Sequence, residues 1–392
     1  MEVEKLLEGL NQEDWVHLLK GLQEKLKMTQ LQLIEKLDLK ITQPKFSLYL
    51  NKGNVSEKNK YKILNFLKKN KVDIKKLILL GKGEKVGNNI IYLEDCITCK
   101  DIKQPLLVKR QNKVFINTAM LFPFERNKRK IYFFVKNDKF IVFYPEKASS
   151  RPYPLILPKL LEITLEFLIG LGIYLSDGSR NRNPKITNSD ALVIKQSVIF
   201  YQLLGIPKEK LIGWVQLHER TNKNLKEVKK FWLSKTDLKA NQITEIRIKK
   251  SSGNASIEQF GTLHLEAPSI LLRLFISELL KLTPKIIKNI PKEQYKYLLQ
   301  GLFAGDGSIE LTKKKTIREI NFTNTSKEMR NIVSDLLKKL NINHKIDEKK
   351  NQVRIYGYEN FKKLYELDLF KYHSKRNEKF MLGMFHINQN RR

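Results

Sequence analysis

The sequence predicts an α+β protein in which two pseudo-symmetric repeats follow a small helical domain and a β-rich segment. Three observations carry this prediction. A ten-residue motif occurs twice, as GLGIYLSDGS at 170–179 and LQGLFAGDGS at 299–308. Residues 12–84 alternate apolar and polar positions at helical spacing. Residues 85–150 contain short β-branched and aromatic runs between charged turns, which is typical of strands.

The length of the chain also favours several domains. At 392 residues it exceeds the size at which a single hydrophobic core keeps growing. We therefore expect a helical domain at 1–84, a β-rich segment at 85–158, a first repeat at 159–285 and a second repeat at 286–392.

The helical domain contains the run KMTQLQLIEKLDLKITQPKFSLYLNKGN. One helix is expected from an N-cap at Thr29 to Leu37, and another from Thr42 to near Gly53, with Pro44 in its first turn. This spacing resembles the helix-turn-helix of phage-repressor-type DNA-binding domains, whose second helix lies in the major groove. An ordinary small helical bundle is the alternative. On the resemblance, the candidate DNA contacts are Gln43, Lys45, Ser47 and Tyr49.

The β-rich segment carries no motif that indicates its purpose. It contains the only two cysteines, Cys96 and Cys99, as a CxxC without a second ligand pair. Because one pair cannot complete a tetrahedral zinc site, ordinary thiols are favoured over a metal or redox role. Prolines at 152, 154 and 158 then mark a boundary before the repeats.

The two repeats match well beyond the motif itself. Thr187 lies 19 residues before Ile206, and Thr323 lies 19 residues before Ile342; each threonine is followed by asparagine. Each repeat is therefore predicted as helix, strand pair, helix, strand pair, helix (αββαββα). The first repeat has an extra basic stretch, roughly 208–252, which we place between its second helix and its second strand pair. A constant offset of 90 relates Leu263, Leu265, Leu271 and Leu274 to Val353, Ile355, Phe361 and Leu364.

Each motif is predicted to end a helix. Thr164 is a suitable N-cap for the first motif helix, and Pro291 suits the first turn of the second. Gly178 and Gly307 are expected as left-handed C-caps. Small residues spaced four apart share one face of each helix, so the two helices can pack with their backbones close together. These interface residues are Gly172 and Ser176 in the first helix, and Gly301 and Gly305 in the second.

This packing would bring Asp177 and Asp306 together at two helix C-termini. Each helix dipole adds partial negative charge there, so the pair repels itself unless a cation is present. Oxygen ligands of this kind suit Mg²⁺, which takes one or two carboxylates together with water and phosphate oxygens. Such a metal can activate water for displacement at phosphorus. A single Asp-Gly-Ser would indicate only a helix end and a turn, but two copies with matching downstream residues favour a site.

The charge of the chain indicates a polyanionic partner. Lys and Arg number 74 against 41 Asp and Glu, which gives a net charge of +33 spread over the whole length. A heat-adapted surface is the alternative, but such surfaces mix both signs and stay nearer neutrality. Nucleic acid is the favoured partner.

The paired motifs resemble those of the LAGLIDADG homing endonucleases in their single-chain, two-repeat form, over residues 159–392. The resemblance implies that the motif helices form the interface between repeats and that their terminal acids bind catalytic Mg²⁺ (or Mn²⁺) over the minor groove. It also implies that the two sheets form a saddle on the major groove of double-stranded DNA. Leu175 and Ala304 depart from the motif by replacing its first aspartate. The implied metal site consists of Asp177 and Asp306 with the adjoining Gly178 and Gly307.

Family members carry a basic residue near the last helix of each repeat. Lys285 and Lys375 fit that position and differ by 90, although a solvated charge is the alternative for each. Candidate DNA contacts in the repeats are Arg180, Arg182, Lys185, Lys249, Lys250, Arg318 and Arg354.

We therefore predict a metal-dependent, site-specific DNA endonuclease that acts as a monomer on double-stranded DNA and uses no nucleotide cofactor. A non-cleaving DNA-binding regulator or an RNA-intron maturase with the same fold is the alternative. A GIY-YIG nuclease is rejected because no YIG partner segment accompanies Gly172, and an intein is disfavoured because the terminal splicing residues are absent. No run of about 18 apolar residues occurs, and the N-terminus is acidic, so we expect a soluble, cytoplasmic protein without a membrane partner.

Overall fold

The structure, a computed structural model, describes residues 10–86, 89–126, 129–143, 154–179, 183–221, 223–250 and 258–389. The chain divides into two compact units, Met1–Cys96 and Ile97–Arg392, and each is described by itself. Within the described residues, no helix is long and apolar enough to cross a membrane.

The first unit is mainly helical. Its helices from residue 10 onward are α1 (Gln12–Leu26), α2 (Gln30–Lys36), α3 (Gln43–Lys52), α4 (Glu57–Lys69) and α5 (Ile74–Lys82). They enclose a core whose largest members are Trp15 and Phe46. The unit continues with a short hairpin of β1 (Glu84–Val86) and β2 (Asn89–Ile91). Strand β3 (Cys96–Ile97) spans the division between the units.

The predicted helix ends around the first unit's turn agree with the structure. The Thr29 hydroxyl accepts a hydrogen bond from the Gln32 backbone N–H at the start of α2. Helix α3 has Thr42 as its N-cap, and Gly53 ends it at a left-handed φ of 67°. Helix-forming pattern and capping chemistry were therefore sufficient to locate both helices.

The β-rich segment of the second unit packs on the first repeat. Phe122 and Phe275 place their ring centroids 5.5 Å apart, and the buried Ile116, Phe133 and Leu161 belong to the same continuous core. Its strands are β4 (Leu107–Arg110), β5 (Lys113–Asn117), β6 (Glu125–Arg126), β7 (Arg129–Lys130), β8 (Tyr132–Lys136), β9 (Lys139–Phe143), β10 (Leu155–Pro158) and β11 (Leu160–Glu162).

The first repeat is built on a five-stranded sheet. Its elements are α6 (Leu165–Asp177), β12 (Gly178–Ser179), β13 (Lys185–Asn188), α7 (Ala191–Leu203), β14 (Ile212–His218), α8 (Leu225–Thr236), β15 (Ile243–Lys249), β16 (Thr262–Glu266) and α9 (Ile270–Asn289). The strand order in the sheet is β12-β13-β16-β14-β15. Helix α9 continues past residue 285, where the sequence predicted the boundary between repeats.

The position predicted for the extra basic stretch was wrong. Strand β14 already belongs to the second strand pair, because it is antiparallel to β16. The added residues therefore lie between the two strands of that pair, where they form α8 and β15. Strand β15 runs parallel to β14 at the sheet edge, which requires a crossover connection that α8 supplies.

The second repeat has the uninterrupted form, with a four-stranded sheet. Its elements are α10 (Tyr295–Asp306), β17 (Gly307–Leu311), β18 (Ile317–Thr323), α11 (Lys327–Lys339), β19 (His344–Asp347), β20 (Gln352–Ile355), α12 (Tyr358–Glu366) and α13 (Ser374–Gln389). The strand order in the sheet is β17-β18-β20-β19. A short 3₁₀ turn after Pro291 precedes α10, so Pro291 stands before this turn rather than inside the α-helix. The α+β class predicted from the sequence is confirmed.

Candidate active site

The two motif helices, α6 and α10, cross at glycines. A Cβ atom on Gly172 would lie 2.5 Å from the Leu298 carbonyl oxygen, and one on Gly301 would lie 2.2 Å from the Ile169 carbonyl oxygen. A Cβ on Gly305 would meet the Ser176 hydroxyl oxygen at 2.0 Å. The backbones are thus in direct contact, and the structure brings together all four small residues that the sequence placed at this interface.

Asp177 and Asp306 are the last residues of the crossing helices. Asp177 Oδ2 lies 3.0 Å from the Cβ position of Gly305, the residue next to Asp306. Each acid is held by an asparagine of its own repeat. Asn188 Nδ2 donates to Asp177 Oδ2 over 2.7 Å, and Asn324 Nδ2 donates to Asp306 Oδ2 over 2.6 Å.

The two asparagines are themselves oriented. Asn188 Oδ1 accepts from the Asp190 backbone N–H at 2.7 Å, and Asn324 Oδ1 accepts from the Ser326 backbone N–H at 2.9 Å. Since the amide oxygen is bound to backbone, the NH₂ group must face the acid. The repeated Thr-Asn pair is visible in the sequence, but no role was predicted there for Asn188 and Asn324.

Gly178 and Gly307 are not left-handed C-caps, and that prediction was wrong. Their φ values are −80° and −76°, in the extended region, because the chain passes directly from each helix into a strand. Glycine is required here for space instead. A Cβ atom on Gly178 would lie 2.2 Å from the Tyr174 carbonyl oxygen, and one on Gly307 would lie 2.4 Å from that of Phe303.

The electrostatics of the site disfavour two free carboxylates. The pKa of Asp177 is raised to about 7, mainly by burial. The hydrogen bond from Asn188 lowers this pKa, whereas the negative charge of Asp306 raises it. Burial likewise raises the pKa of Asp306 to about 6, although Asn324 and Arg376 act in the opposite direction. A cation bound by both carboxylates would stabilise their charged forms.

Arg376 supplies a positive charge beside the acids. This half-buried residue near the start of α13 donates from Nη1 to the carbonyl oxygens of Phe303 at 2.9 Å and Ala304 at 2.6 Å. Its charge lowers the pKa of both aspartates. Burial lowers the pKa of Arg376 itself, while the negative charges of Asp177 and Asp306 oppose that effect.

Arg376 was not predicted from the sequence, where its neighbour Lys375 was the candidate. Lys375 is exposed and pairs with Glu258, and Lys285 is exposed on α9. No described contact joins either lysine to Asp177 or Asp306. The offset of 90 that relates Lys285 to Lys375 also relates Ile286 to Arg376. Ile286 is buried and apolar, so Arg376 has no basic counterpart in the first repeat.

The donor set fits a hydrated, hard divalent cation. Mg²⁺ needs one or two carboxylates, with water and phosphate oxygens as the remaining ligands. Within the described part of the chain, Oδ1 of Asp177 and Oδ1 of Asp306 accept no hydrogen bond, so each acid keeps one oxygen for a metal. The same residues contain no group of three or more His, Cys, Asp or Glu that could hold an ion. Cys96 and Cys99 are free thiols, and burial raises the pKa of both.

The candidate DNA contacts of the repeats lie on or beside the sheets. Lys185 on β13 is half-buried, Lys249 and Lys250 at the end of β15 are exposed, and Arg318 on β18 is exposed. Arg354 on β20 is bound by Glu319 and Asp347. Arg180 and Arg182 lie outside the described residues.

The candidate contacts of the first unit separate into two kinds. Gln43 and Lys45 are exposed at the start of α3, and Ser47 is half-buried. Tyr49 is only 3 % exposed, and its hydroxyl accepts a 3.0 Å hydrogen bond from Asn59 Nδ2. Tyr49 therefore belongs to the core, and its selection as a contact is corrected.

Two repeats that meet at glycine-containing helices and end in paired aspartates define a two-repeat α+β architecture with a shared acidic centre. Residues 293–367, within the second repeat, match the family described as LAGLIDADG-like domain. The family resemblance seen in the sequence is thus confirmed, and the chain contains a LAGLIDADG-like domain at these residues of its second repeat.

Solved structures of the homing endonuclease I-DmoI are among those similar to this chain. A structure of its mesophilic variants is 16% identical, covering 52% of this chain and 94% of that one, with a TM-score of 0.29. Its complex with DNA and Mn is 14% identical, covering 52% and 97%, with a TM-score of 0.27. Among curated proteins, none matches the sequence.

Proposed function

We propose that the protein is a metal-dependent endonuclease that hydrolyses phosphodiester bonds in double-stranded DNA at the centre formed by Asp177 and Asp306. The observation that carries the proposal is the symmetric pair of acids, each at the end of a crossing helix and each held by an oriented asparagine. A protein that only bound DNA would gain nothing from two adjacent carboxylates with raised pKa values.

Each residue of the site would have a separate role. Oδ1 of each aspartate would hold Mg²⁺ or Mn²⁺, which when bound supplies charge stabilisation and an activated water at phosphorus. Asn188 and Asn324 each hold one carboxylate in place by a hydrogen bond to its Oδ2. Arg376 holds the end of α10 and balances part of the negative charge before a metal and DNA arrive.

The net charge of +33 supports a nucleic-acid substrate, and the two unequal repeats support an asymmetric site bound by one chain. The first sheet has five strands and the second has four, so the two halves present different surfaces to DNA. We propose that the helical unit is a second DNA-binding module that uses Gln43 and Lys45.

The test is a cleavage assay on a random-sequence plasmid library with Mg²⁺ or Mn²⁺ and with a chelator as control. The proposal expects nicking or cleavage that is enriched at one sequence and is absent with the chelator. Retention of duplex DNA without any metal-dependent cleavage would favour the non-cleaving regulator. Preference for structured RNA over duplex DNA would favour the maturase.

A further inference from the structure

Each sheet of the repeats has one face directed away from its helices. In the first sheet Ile186, Val215 and Leu265 are buried against the core, so the alternating residues of the same strands lie on the opposite face. In the second sheet Phe322 and Val353 are buried in the same way. We call these outward surfaces the open faces.

The open face of the first sheet holds Arg247 in a stack. Its guanidinium carbon lies 4.3 Å from the centroid of the Trp214 ring, and its Nε donates to Glu245 Oε2 over 2.7 Å. Trp214 in turn stacks on His264, with centroids 3.7 Å apart and planes inclined by 5°. Thr187 Oγ1 is hydrogen-bonded to His264 Nδ1 at 2.9 Å. The side chains of Arg247, Trp214, His264 and Thr187 thus form a continuous row across the sheet.

The open face of the second sheet holds Arg354 by a different set of contacts. Its Nε and Nη2 donate to Glu319 Oε2 over 3.1 and 2.5 Å, and its Nη1 donates to Asp347 Oδ2 over 3.3 Å. The guanidinium carbon lies 5.4 Å from the Tyr356 ring centroid. Glu319 is only 2 % exposed, so this carboxylate is fixed within the sheet.

Both arginines are therefore held by a carboxylate and an aromatic ring before any partner binds. A guanidinium has five N–H groups, and the carboxylates occupy only some of them. A phosphate contact needs no such orientation and would be weakened by an adjacent acid. A planar fork held in one orientation suits bidentate recognition, and guanine presents its O6 and N7 acceptors for such a fork in the major groove.

We propose that Arg247 and Arg354 each read a guanine in the major groove, one in each half of the DNA site, and that Glu245 and Glu319 are positioning residues for them. The inference rests on the proposed binding of duplex DNA. Each half of the DNA site would then contain one required guanine, although different contacts hold the arginine in each repeat.

The experiment is selection of duplex DNA from a random library by the full-length chain carrying Asp177→Asn and Asp306→Asn, so that bound DNA stays intact. The parent should select a sequence with a specified guanine in each half. Arg247→Ala should relax one of these positions and Arg354→Ala the other, by about 10-fold to 100-fold in preference over other bases. Arg354→Lys should retain overall affinity but lose the preference, because an ammonium cannot bind bidentately.

Two further variants separate positioning from general charge. Glu319→Gln should weaken the preference at the position read by Arg354 and leave the other half unchanged. Lys345→Ala, which removes an exposed charge from β19 of the same sheet, should lower affinity for all sequences without altering the selected bases. Thermal melting of each variant reports whether it folds.

An unchanged selected sequence in both folded arginine variants would overturn the inference and leave these contacts as internal ion pairs, with the proposed function intact. Failure of the parent to retain any duplex DNA would overturn the proposed function itself. The two failures are therefore distinguishable.

Discussion

The Arg376 guanidinium donates a 2.6 Å hydrogen bond to the carbonyl oxygen of Ala304, two residues before the aspartate that ends the same helix. A cation at this position stabilises the helix C-terminus and lowers the pKa of both Asp177 and Asp306. One side chain thus connects the last helix of the chain to the acidic centre.

We expect Arg376→Met to destabilise the protein more at pH 8 than at pH 5. Without the cation, the pKa of both acids rises further, so ionising them costs more folding free energy, whereas at pH 5 both acids are already largely protonated. The measurement is the free energy of unfolding from denaturant titration at the two pH values. Lys375→Met is the matched control, since this neighbouring lysine is exposed. An equal loss at both pH values would show that Arg376 acts only through the helix carbonyls.

Asp177→Asn should stabilise the metal-free protein at pH 8 and not at pH 4. The folded-state pKa of about 7 lies above the unfolded value of 3.8, so the stability that this group contributes is complete below about pH 4 and is lost as the pH rises through 7. The amide removes that loss, which corresponds to roughly 4 kcal/mol at pH 8. Denaturant titration of wild type and variant across this range checks it, with exposed Asp335→Asn as control. Stabilisation independent of pH would contradict the assigned pKa.

Gly301→Ala should separate the motif helices and destabilise the protein by about 3 kcal/mol, at the upper end for overpacking in a core. The added methyl would lie 2.2 Å from a backbone oxygen of the facing helix, which cannot move independently. Gly213→Ala is the control, because its methyl would approach a flexible leucine side chain at 3.2 Å. Thermal melting of the two variants provides the comparison. A melting temperature for Gly301→Ala no lower than that of Gly213→Ala would argue against the close crossing.

If α3 lies on DNA, the double variant Gln43→Ala with Lys45→Ala should shorten the protected footprint at one end. It should also reduce the slope of log affinity against log salt by about 0.9, the amount for one lost phosphate contact. Footprinting and a salt titration of the full-length chain measure both. Lys69→Ala, an exposed charge on α4, serves as the control. An unchanged footprint would leave the helical unit as a structural or partner-binding bundle.

The sequence was sufficient to predict the features that depend on local chemistry. Helix caps at Thr29 and Thr164 follow from side-chain hydrogen bonds within one turn, and the repeated motif located both acids. The small residues at the crossing were identifiable because helical spacing places them on one face.

What the sequence could not provide depends on distant segments. Arg376 reaches the end of α10 only because α13 packs there, and a match at a fixed offset pointed to Lys375 instead. Tyr49 lies on the same helix as the exposed Lys45, but its burial is decided by Asn59 and the neighbouring helix. The extended conformation of Gly178 and Gly307 was missed because a glycine after a helix usually signals a left-handed residue, whereas here the strand begins at once.

The most direct test of the central claim is cleavage of a DNA selected from the plasmid library by wild type, Asp177→Asn, Asp306→Asn and the control Asp335→Asn, each with Mg²⁺ or Mn²⁺. The account predicts that wild type and control cleave both strands, whereas each active-site variant loses double-strand cleavage yet still binds the DNA. Residual nicking of one strand would remain compatible with two acids serving different strands. Full double-strand cleavage by either active-site variant would remove that aspartate from the catalytic centre.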